Sequence, residues 1–179
     1  MKNAGGSAFG STISVIQGEF KISNDPEVIL STVLGSCIAA CLHDPVAQIG
    51  GMNHFLLPNR DGADSGDIRY GAHAMELLIN GLLKQGAHRD RMQAKLFGGA
   101  SMAANLRDIG RSNAAFAQEF LRRENLPIVS ESVGGQMARR VRFWPTTGKA
   151  QQLLIPNNPD LQSPAISAPP RSSEPVTLF

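Results

Sequence analysis

Over the first third of the chain, apolar residues come in short runs rich in β-branched and aromatic side chains, which is typical of β-strands. Turn residues separate these runs, with Asn24-Asp25-Pro26 in one gap and Asp44-Pro45 in another. The pattern predicts four strands, at 12–23, 27–34, 37–44 and 49–57.

Two later segments repeat apolar residues every three or four positions, the spacing of a helix with one buried face. The first has Asp67 as a candidate cap and ends at Gly86, and the second covers roughly 112–124 with Pro127 beyond its end. The apolar positions of the first helix are Ile68, Ala72, Met75, Ile79 and Leu82. Further strands are predicted at 91–97, 127–132, 139–144 and 149–155.

About eight strands and two helices, with many strands joined by short turns, indicate an α+β protein. We expect a single domain at 12–155, in which mixed or mostly antiparallel sheets form a sandwich-like core flanked by helices. Residues 1–11 are rich in Gly and Ser and are predicted to be flexible. The segment 156–179 contains six prolines and too little apolar surface for a core, so it is predicted to be a disordered tail.

Composition narrows the possible functions. The net charge of +2 is too small to indicate nucleic-acid binding, and basic residues do not form a run. The sequence lacks the apolar core of a signal peptide and any stretch of about 18 apolar residues, so membrane insertion is not expected. Two cysteines do not make a disulfide framework, which favours a cytoplasmic protein with free thiols.

The candidate chemistry lies in the segment 31–58, which holds both cysteines and two of the four histidines. If 44–47 forms a four-residue hairpin loop, His43 pairs with Gln48 and, further along the ladder, Cys37 lies opposite His54. Opposed residues share a face, with Cβ atoms about 4.5–5.5 Å apart. An imidazole at that distance can take the proton of a thiol, as cysteine hydrolases require.

Other roles for the two cysteines are less favoured. On one strand, Cys37 and Cys41 are separated by about 13 Å, too far for a disulfide or for a shared zinc ion. Buried cysteine often only packs, and Cys41 is expected to do so. For Cys37, the preceding Leu-Gly-Ser turn favours a reactive thiol, and backbone N–H groups at Gly35 and Ser36 are candidates for an oxyanion site.

The segment resembles the signature of the CheD family, the chemoreceptor glutamine deamidases of bacterial chemotaxis. The resemblance covers roughly residues 15–155. The motifs that carry it are "TVLGSCIAACLHDP", "IGGMNHFLLP", "YGAHAMELLINGLLKQGA", "AKLFGGASM", "IGRSNAAFAQEFLRRENLPIVSESVGG" and "RRVRFWPTTGKA".

This resemblance implies an amidohydrolase that converts receptor glutamines to glutamates through a thioester and releases ammonia. It implies Cys37 as nucleophile and His54 as base, with a third catalytic threonine shortly before the turn. An ungapped alignment puts Ser31 in that place and Thr32 one residue later, so the third role is open between them. The resemblance also makes Ser101 a weak candidate for the site wall.

The family further implies a fold related to other cysteine deamidases. The expected partners are the cytoplasmic helices of methyl-accepting chemotaxis receptors and, in some bacteria, the phosphatase CheC. No cofactor is expected, because "FGGASM" lacks the Lys-Ser/Thr of a phosphate-binding loop and no metal-ligand spacing is present.

Two other functions stay open at this point. One is a CheD-like binding module with weak or lost catalysis, which the departure at Ser31 favours. The other is a redox-sensing thiol protein built on Cys37 and Cys41.

Overall fold

The structure, a computed structural model, describes residues 10–57, 65–102, 107–156 and 176–179. In chain order the first strands are β1 (Ser11–Ser14), β2 (Phe20–Ser23), β3 (Val28–Leu34), β4 (Ile38–Asp44) and β5 (Ile49–Asn53). Helix α1 (Ser65–Lys84) is followed by β6 (Gln93–Gly98) and helix α2 (Arg107–Arg123). The remaining strands are β7 (Ile128–Val133), β8 (Ala138–Phe143), β9 (Ala150–Ile155) and β10 (Thr177–Leu178).

The strands form two five-stranded sheets, which we call sheet A (β1-β3-β8-β9-β10) and sheet B (β2-β5-β4-β6-β7). Both are mixed, since β1 runs parallel to β3 and β6 runs parallel to β7 while the other neighbours are antiparallel. The predicted α+β class, with mixed sheets in a sandwich and flanking helices, is confirmed.

The central strand β4 shows how the layers are stacked, because it is buried along its whole length. Ile38, Ala40 and Leu42 belong to a cluster that includes the apolar faces of α1 and α2. Ala39 and Cys41 face the other way, into a cluster shared with residues of sheet A. Since side chains alternate along a strand, sheet B lies between sheet A and the helices.

Several element boundaries differ from those the sequence predicts. The segment 12–23 is two strands on different sheets, joined by a loop at 15–19. Helix α1 begins at Ser65, so Asp67 lies in its first turn rather than capping it. Helix α2 begins at Arg107 rather than near 112.

Gly110 explains why the start of α2 is hard to predict. Glycine is a poor helix former and favours a break at this point. In the structure it lies inside the helix because a Cβ there would come within 2.5 Å of the carbonyl oxygens of Gly99 and Ala100. Close packing of the helix on the segment after β6 therefore requires a glycine.

The predicted register of the β4–β5 hairpin is wrong by two residues. Asp44 pairs with Ile49 and Cys41 pairs with Met52, so the loop spans 45–48. Asp44 stays in the ladder because its carboxylate accepts the N–H groups of Val46 and Ala47 and closes the turn itself. Cys37 is therefore not directly opposite His54.

The last residues of the chain form an edge strand that the sequence does not predict. Thr177 and Leu178 pair with β9, and Phe179 packs edge-on against Phe97 with ring centroids 5.5 Å apart. These aromatic contacts give the end of the proline-rich segment an apolar anchor in the core between the sheets. Residues 1–9 and 157–175 of the two predicted terminal segments lie outside the described residues.

Candidate active site

Cys37 lies in the turn that carries the chain from sheet A to sheet B, immediately before β4. Its side chain is half-buried and contacts the core between the sheets. The carbonyl oxygen of Cys37 accepts the N–H of Gly99 at 2.8 Å, and that of Gly35 accepts the N–H of Ala100 at 2.8 Å. The segment after β6 therefore holds the turn that presents the thiol.

Two further residues fix this turn. The side-chain amide of Asn113 on α2 donates to the carbonyl of Ser36 at 3.0 Å and accepts the N–H of Leu57 at 2.8 Å. Gly98 has a φ of 114°, and a Cβ there would overlap the carbonyl oxygen of Cys37. Only glycine allows β6 to approach the Cys37 turn this closely.

His54 is buried directly after β5, and its imidazole is held by sheet A and by the loop at 15–19. The Oγ1 of Thr32 lies 2.9 Å from Nδ1 of His54. Thr32 donates its hydroxyl proton to the carbonyl oxygen of Val15 at 2.7 Å. The same carbonyl lies 3.3 Å from Nδ1 of His54.

These contacts fix the tautomer of His54. The Val15 oxygen can only accept, so Nδ1 of His54 carries the hydrogen. The one hydroxyl proton of Thr32 goes to Val15, and Thr32 Oγ1 therefore accepts from Nδ1 as well. The free electron pair of the imidazole lies on Nε2, which is buried and has no hydrogen-bond partner among the described residues.

The structure separates the two hydroxyl residues that the sequence leaves open. Thr32 is buried and shares the inward face of β3 with Leu30 and Leu34. Ser31 is half-buried and alternates to the outward face of sheet A. The structure therefore brings Thr32 to the imidazole and leaves Ser31 away from it.

Cys37 and His54 share a face even though the predicted pairing fails, because a shift of two residues preserves the alternation of a strand. The sulfur of Cys37 donates to Oε1 of Gln17 at 3.5 Å. Among the hydrogen bonds of the described residues, none joins Cys37 to His54. A thiol–imidazole hydrogen bond is therefore not among the described contacts, and the pairing of Cys37 with His54 in catalysis stays a prediction.

Burial controls the ionisation of both groups. It raises the pKa of the Cys37 thiol, against the opposing effect of the backbone N–H groups of Cys37 and Gly35. Burial lowers the pKa of His54, and the Val15 carbonyl partly offsets this. Near neutral pH the pair is therefore a neutral thiol beside a neutral imidazole.

Two other predicted site residues, Gly35 and Ser101, lie in the Cys37 turn and in the segment after β6 that is bonded to it. Gly35 faces the side chain of Met102, whose Cγ would be 3.2 Å from a Cβ at that position. Ser101 donates its backbone N–H to the carbonyl of Gly135 and lines a cavity of about 310 Å³ together with Arg111. Neither Cys37 nor His54 is among the described residues that line this cavity, so a role for Ser101 at the candidate site stays a prediction.

Sequence reasoning missed the contribution of the loop at 15–19. Val15 supplies the carbonyl that orients both Thr32 and His54, and Gln17 contacts the sulfur of Cys37. The β-rich composition of 12–23 predicts one continuous strand and so conceals the loop. Gly18, with a φ of 90°, is the residue in the sequence that marks the break.

Cys41 is a packing residue, as predicted. It is free, buried between the sheets, and burial raises the pKa of its thiol well above the usual range. Within the described ranges, no three His, Cys, Asp or Glu side chains are placed to hold a metal ion. None of the described helices is long and apolar enough to cross a membrane.

Known proteins resemble this chain in sequence and, more distantly, in structure. A protein of Bacillus licheniformis named YfiH has a similar structure with a TM-score of 0.43 and 12% identity, covering 70% of this chain and 60% of that one. A protein of Caulobacter sp. named probable chemoreceptor glutamine deamidase CheD is 56% identical over 174 residues, covering 93% of this chain and 92% of its own. Its counterpart in Rhizobium meliloti is 56% identical over 153 residues, covering 83% of this chain and 82% of its own.

The family model for CheD chemotactic sensory transduction matches residues 56–152. That range is more than half of the 179-residue chain. With relatives above half identity along most of its length, the chain belongs to the CheD family.

Proposed function

We propose that this chain is a chemoreceptor glutamine deamidase, an amidohydrolase that converts receptor glutamine side chains to glutamate. One observation carries the assignment of the site: Thr32 and Val15 hold Nδ1 of a buried histidine, while its Nε2, on the face shared with Cys37, has no partner among the described residues. The relatives are named as probable chemoreceptor glutamine deamidases, which supports the choice of substrate.

The first half of the reaction forms an acyl-enzyme. Nε2 of His54 takes the proton of the Cys37 thiol, and the sulfur attacks the side-chain carbonyl carbon of the glutamine. The carbonyl π electrons move to oxygen and form a tetrahedral oxyanion. When the C–N bond breaks, protonated His54 donates to the nitrogen, ammonia leaves, and a thioester joins Cys37 to the substrate.

The second half regenerates the enzyme. Neutral His54 takes a proton from water, which attacks the thioester carbon. The C–S bond breaks, the proton returns to sulfur, and a glutamate side chain is released. A primary amide is a poor electrophile, and dividing its hydrolysis in this way lowers each barrier.

Thr32 and Val15 act as positioning groups in this scheme. They fix Nδ1–H of His54, so that Nε2 is available at both proton transfers. The backbone N–H groups of Gly35 and Cys37, which lower the pKa of the thiol, are our candidates for the oxyanion donors. This differs in part from the sequence prediction of Gly35 and Ser36.

The geometry also bears on the rival functions. The departure at Ser31 favoured a binding module without catalysis, but Thr32 supplies a hydroxyl at the imidazole from the neighbouring position. A redox pair of Cys37 and Cys41 has no support from burial, because Cys41 is closed off between the sheets. We propose that the enzyme acts in the cytoplasm on the cytoplasmic helices of receptors; binding to a CheC-type phosphatase stays a prediction.

Peptide mass mapping of a receptor cytoplasmic fragment tests this function. Incubation with the protein should add about one dalton per converted site, because an acid replaces an amide. Cys37→Ala should abolish the gain, while the matched variant Cys41→Ala should keep it. Absence of any gain with the unmodified protein, or an undiminished gain with Cys37→Ala, contradicts the proposal.

A further inference from the structure

The loop at 15–19 places a glutamine side chain against the proposed nucleophile. Gln17 lies between Ile16 and Gly18, and the φ of 90° at Gly18 turns the chain at this point. Oε1 of Gln17 accepts the hydrogen of the Cys37 sulfur at 3.5 Å. The protein therefore presents to its own thiol a carboxamide like that of its proposed substrate.

The loop that carries Gln17 is firmly attached. Val15 donates its N–H to the carbonyl of Ser31 at 2.8 Å, and Gly18 donates to the carbonyl of His54 at 2.7 Å. His54 in turn donates its N–H to the carbonyl of Glu19 at 3.0 Å. The backbone is thus tied to both sheets, while the Gln17 side chain is exposed and can rotate away without unfolding the loop.

The hydrogen bond from Cys37 to Gln17 explains why Nε2 of His54 receives no hydrogen bond from the thiol. A thiol has a single hydrogen, and here that hydrogen is directed to Gln17. The acceptor that catalysis requires, Nε2 of His54, is buried and has no hydrogen-bond partner in the part of the chain that the structure describes. A thiol proton held by Gln17 is not available to His54.

We propose that the Gln17 carboxamide occupies the subsite of the substrate carboxamide and keeps the thiol proton away from His54 until a substrate glutamine displaces it. This inference rests on the proposed function, since it takes its subsite from that reaction. Displacement breaks the Cys37–Gln17 hydrogen bond and lets the thiol turn to Nε2. The nucleophile is therefore activated when a carboxamide arrives and is held protonated otherwise.

The rate of Cys37 alkylation by iodoacetamide tests the inference without any receptor. Gln17→Met keeps the length of the side chain but removes the amide, and we expect Cys37 to react about 2- to 10-fold faster, the equivalent of one lost hydrogen bond. The pH dependence of alkylation should move to lower pH, because the protonated thiol loses its acceptor. Gln85→Met, which makes the same change at a glutamine exposed after α1, is the matched control and should leave the rate unchanged.

An unchanged or slower rate with Gln17→Met would overturn the inference. A slower rate would show that the amide NH₂ of Gln17 supports the thiolate instead. Gain of one dalton on the Gln17 peptide of the unmodified protein, absent with Cys37→Ala, would also overturn it, since Gln17 would then be a substrate rather than a placeholder.

The receptor assay separates this inference from the proposed function. If the receptor fragment is deamidated but Gln17→Met alkylates normally, only the inference fails. If Gln17→Met alkylates faster but no receptor glutamine is converted, the thiol is restrained as described and the proposed substrate is wrong. If both hold, Gln17→Met should also lower the KM for the receptor fragment, because no internal carboxamide competes.

Discussion

Thr32 Oγ1 lies 2.9 Å from Nδ1 of His54, although Thr32 is in sheet A and His54 directly follows β5 of sheet B. The contact joins the two layers at the point where Cys37 enters β4. It also fixes which nitrogen of His54 carries a proton, through the Val15 carbonyl that both side chains share. The proposed general base is therefore oriented by the packing of one sheet on the other.

Removal of the Thr32 hydroxyl should slow deamidation. We expect Thr32→Ala to lower kcat by about tenfold to a hundredfold. Loss of a hydrogen bond to a buried imidazole costs about 1–3 kcal/mol, and we expect a loss of this size in the stabilisation of the transition state. Ser31→Ala is the matched control and should remain close to the unmodified rate, since Ser31 is on the outward face of β3. The rates are measured by mass analysis of a receptor fragment; a slow Ser31→Ala enzyme with a normal Thr32→Ala enzyme would reverse the assignment.

The pH dependence of kcat/KM should show an unusually broad plateau. Activity requires neutral His54, whose pKa burial lowers, so the acid limb should lie below about 6.5, the ordinary histidine value. The alkaline limb follows loss of the Cys37 proton, which leaves no imidazolium to protonate ammonia. Because burial raises the pKa of that thiol, this limb should lie above about 8.5, the ordinary cysteine value. An acid limb above the ordinary histidine value would contradict the account.

The Cys37 turn should be sensitive to a single methyl group at Gly98. Gly98→Ala places a Cβ on the Cys37 carbonyl in addition to the strain of a left-handed backbone at a φ of 114°. Gly86→Ala is the matched control, because its φ is 99° and a Cβ there would have no atom within 4 Å. We expect Gly86→Ala to cost about 1–2 kcal/mol in urea unfolding with deamidase activity intact. Gly98→Ala should cost more and abolish activity; equal effects of the two variants would disprove the close approach.

Asp44 should make the stability of the hairpin depend on pH. Burial by itself would raise the pKa of this carboxyl, but hydrogen bonds from Arg91 and from backbone N–H groups, including that of His88, hold it well below its usual range. A pKa that is lower in the folded state stabilises the fold above the unfolded value of about 3.9, and this stabilisation is lost as the pH falls through the folded value.

Asp44→Asn should therefore lower the free energy of unfolding at pH 7 by about 1–3 kcal/mol, because it removes a buried charged acceptor. The difference from the unmodified protein should shrink below about pH 4. Urea unfolding of both proteins at pH 7 and at a pH below about 4 measures this difference in the free energy of unfolding. A difference that stays constant with pH would mean that the charge of Asp44 does not contribute.

Local patterns predicted most of the elements. Runs such as 27–34 and 139–144 carry enough β-branched and apolar residues to mark β3 and β8, and the repeat from Ile68 to Leu82 marks α1. Local patterns could not predict which of the two sheets each strand joins. β1 and β2 follow each other in the chain yet lie in different sheets, because the loop at 15–19 crosses between the layers.

The residue types of the candidate site could be proposed from the sequence, but their contacts could not. Cys37 and His54 follow from the family motif, but their predicted direct pairing depends on the position of the hairpin loop. Asp44 makes this loop begin one residue later than predicted, which shifts the pairing of the two strands by two residues. The preference for Thr32 over Ser31 at the imidazole comes from which face of β3 is inward, a property of the sandwich rather than of the motif. The role of Val15 uses a backbone carbonyl, which no side-chain pattern can indicate.

The central claim is that Cys37 forms a thioester with the substrate glutamine, and partitioning of that intermediate tests it most directly. A receptor cytoplasmic fragment is incubated with the protein in the presence of hydroxylamine, which competes with water for an acyl-enzyme. The account predicts a receptor hydroxamate, about 16 Da heavier than glutamine, in proportion to the hydroxylamine concentration and absent with Cys37→Ala. Formation of glutamate alone at every hydroxylamine concentration, or of hydroxamate with Cys37→Ala, would contradict it.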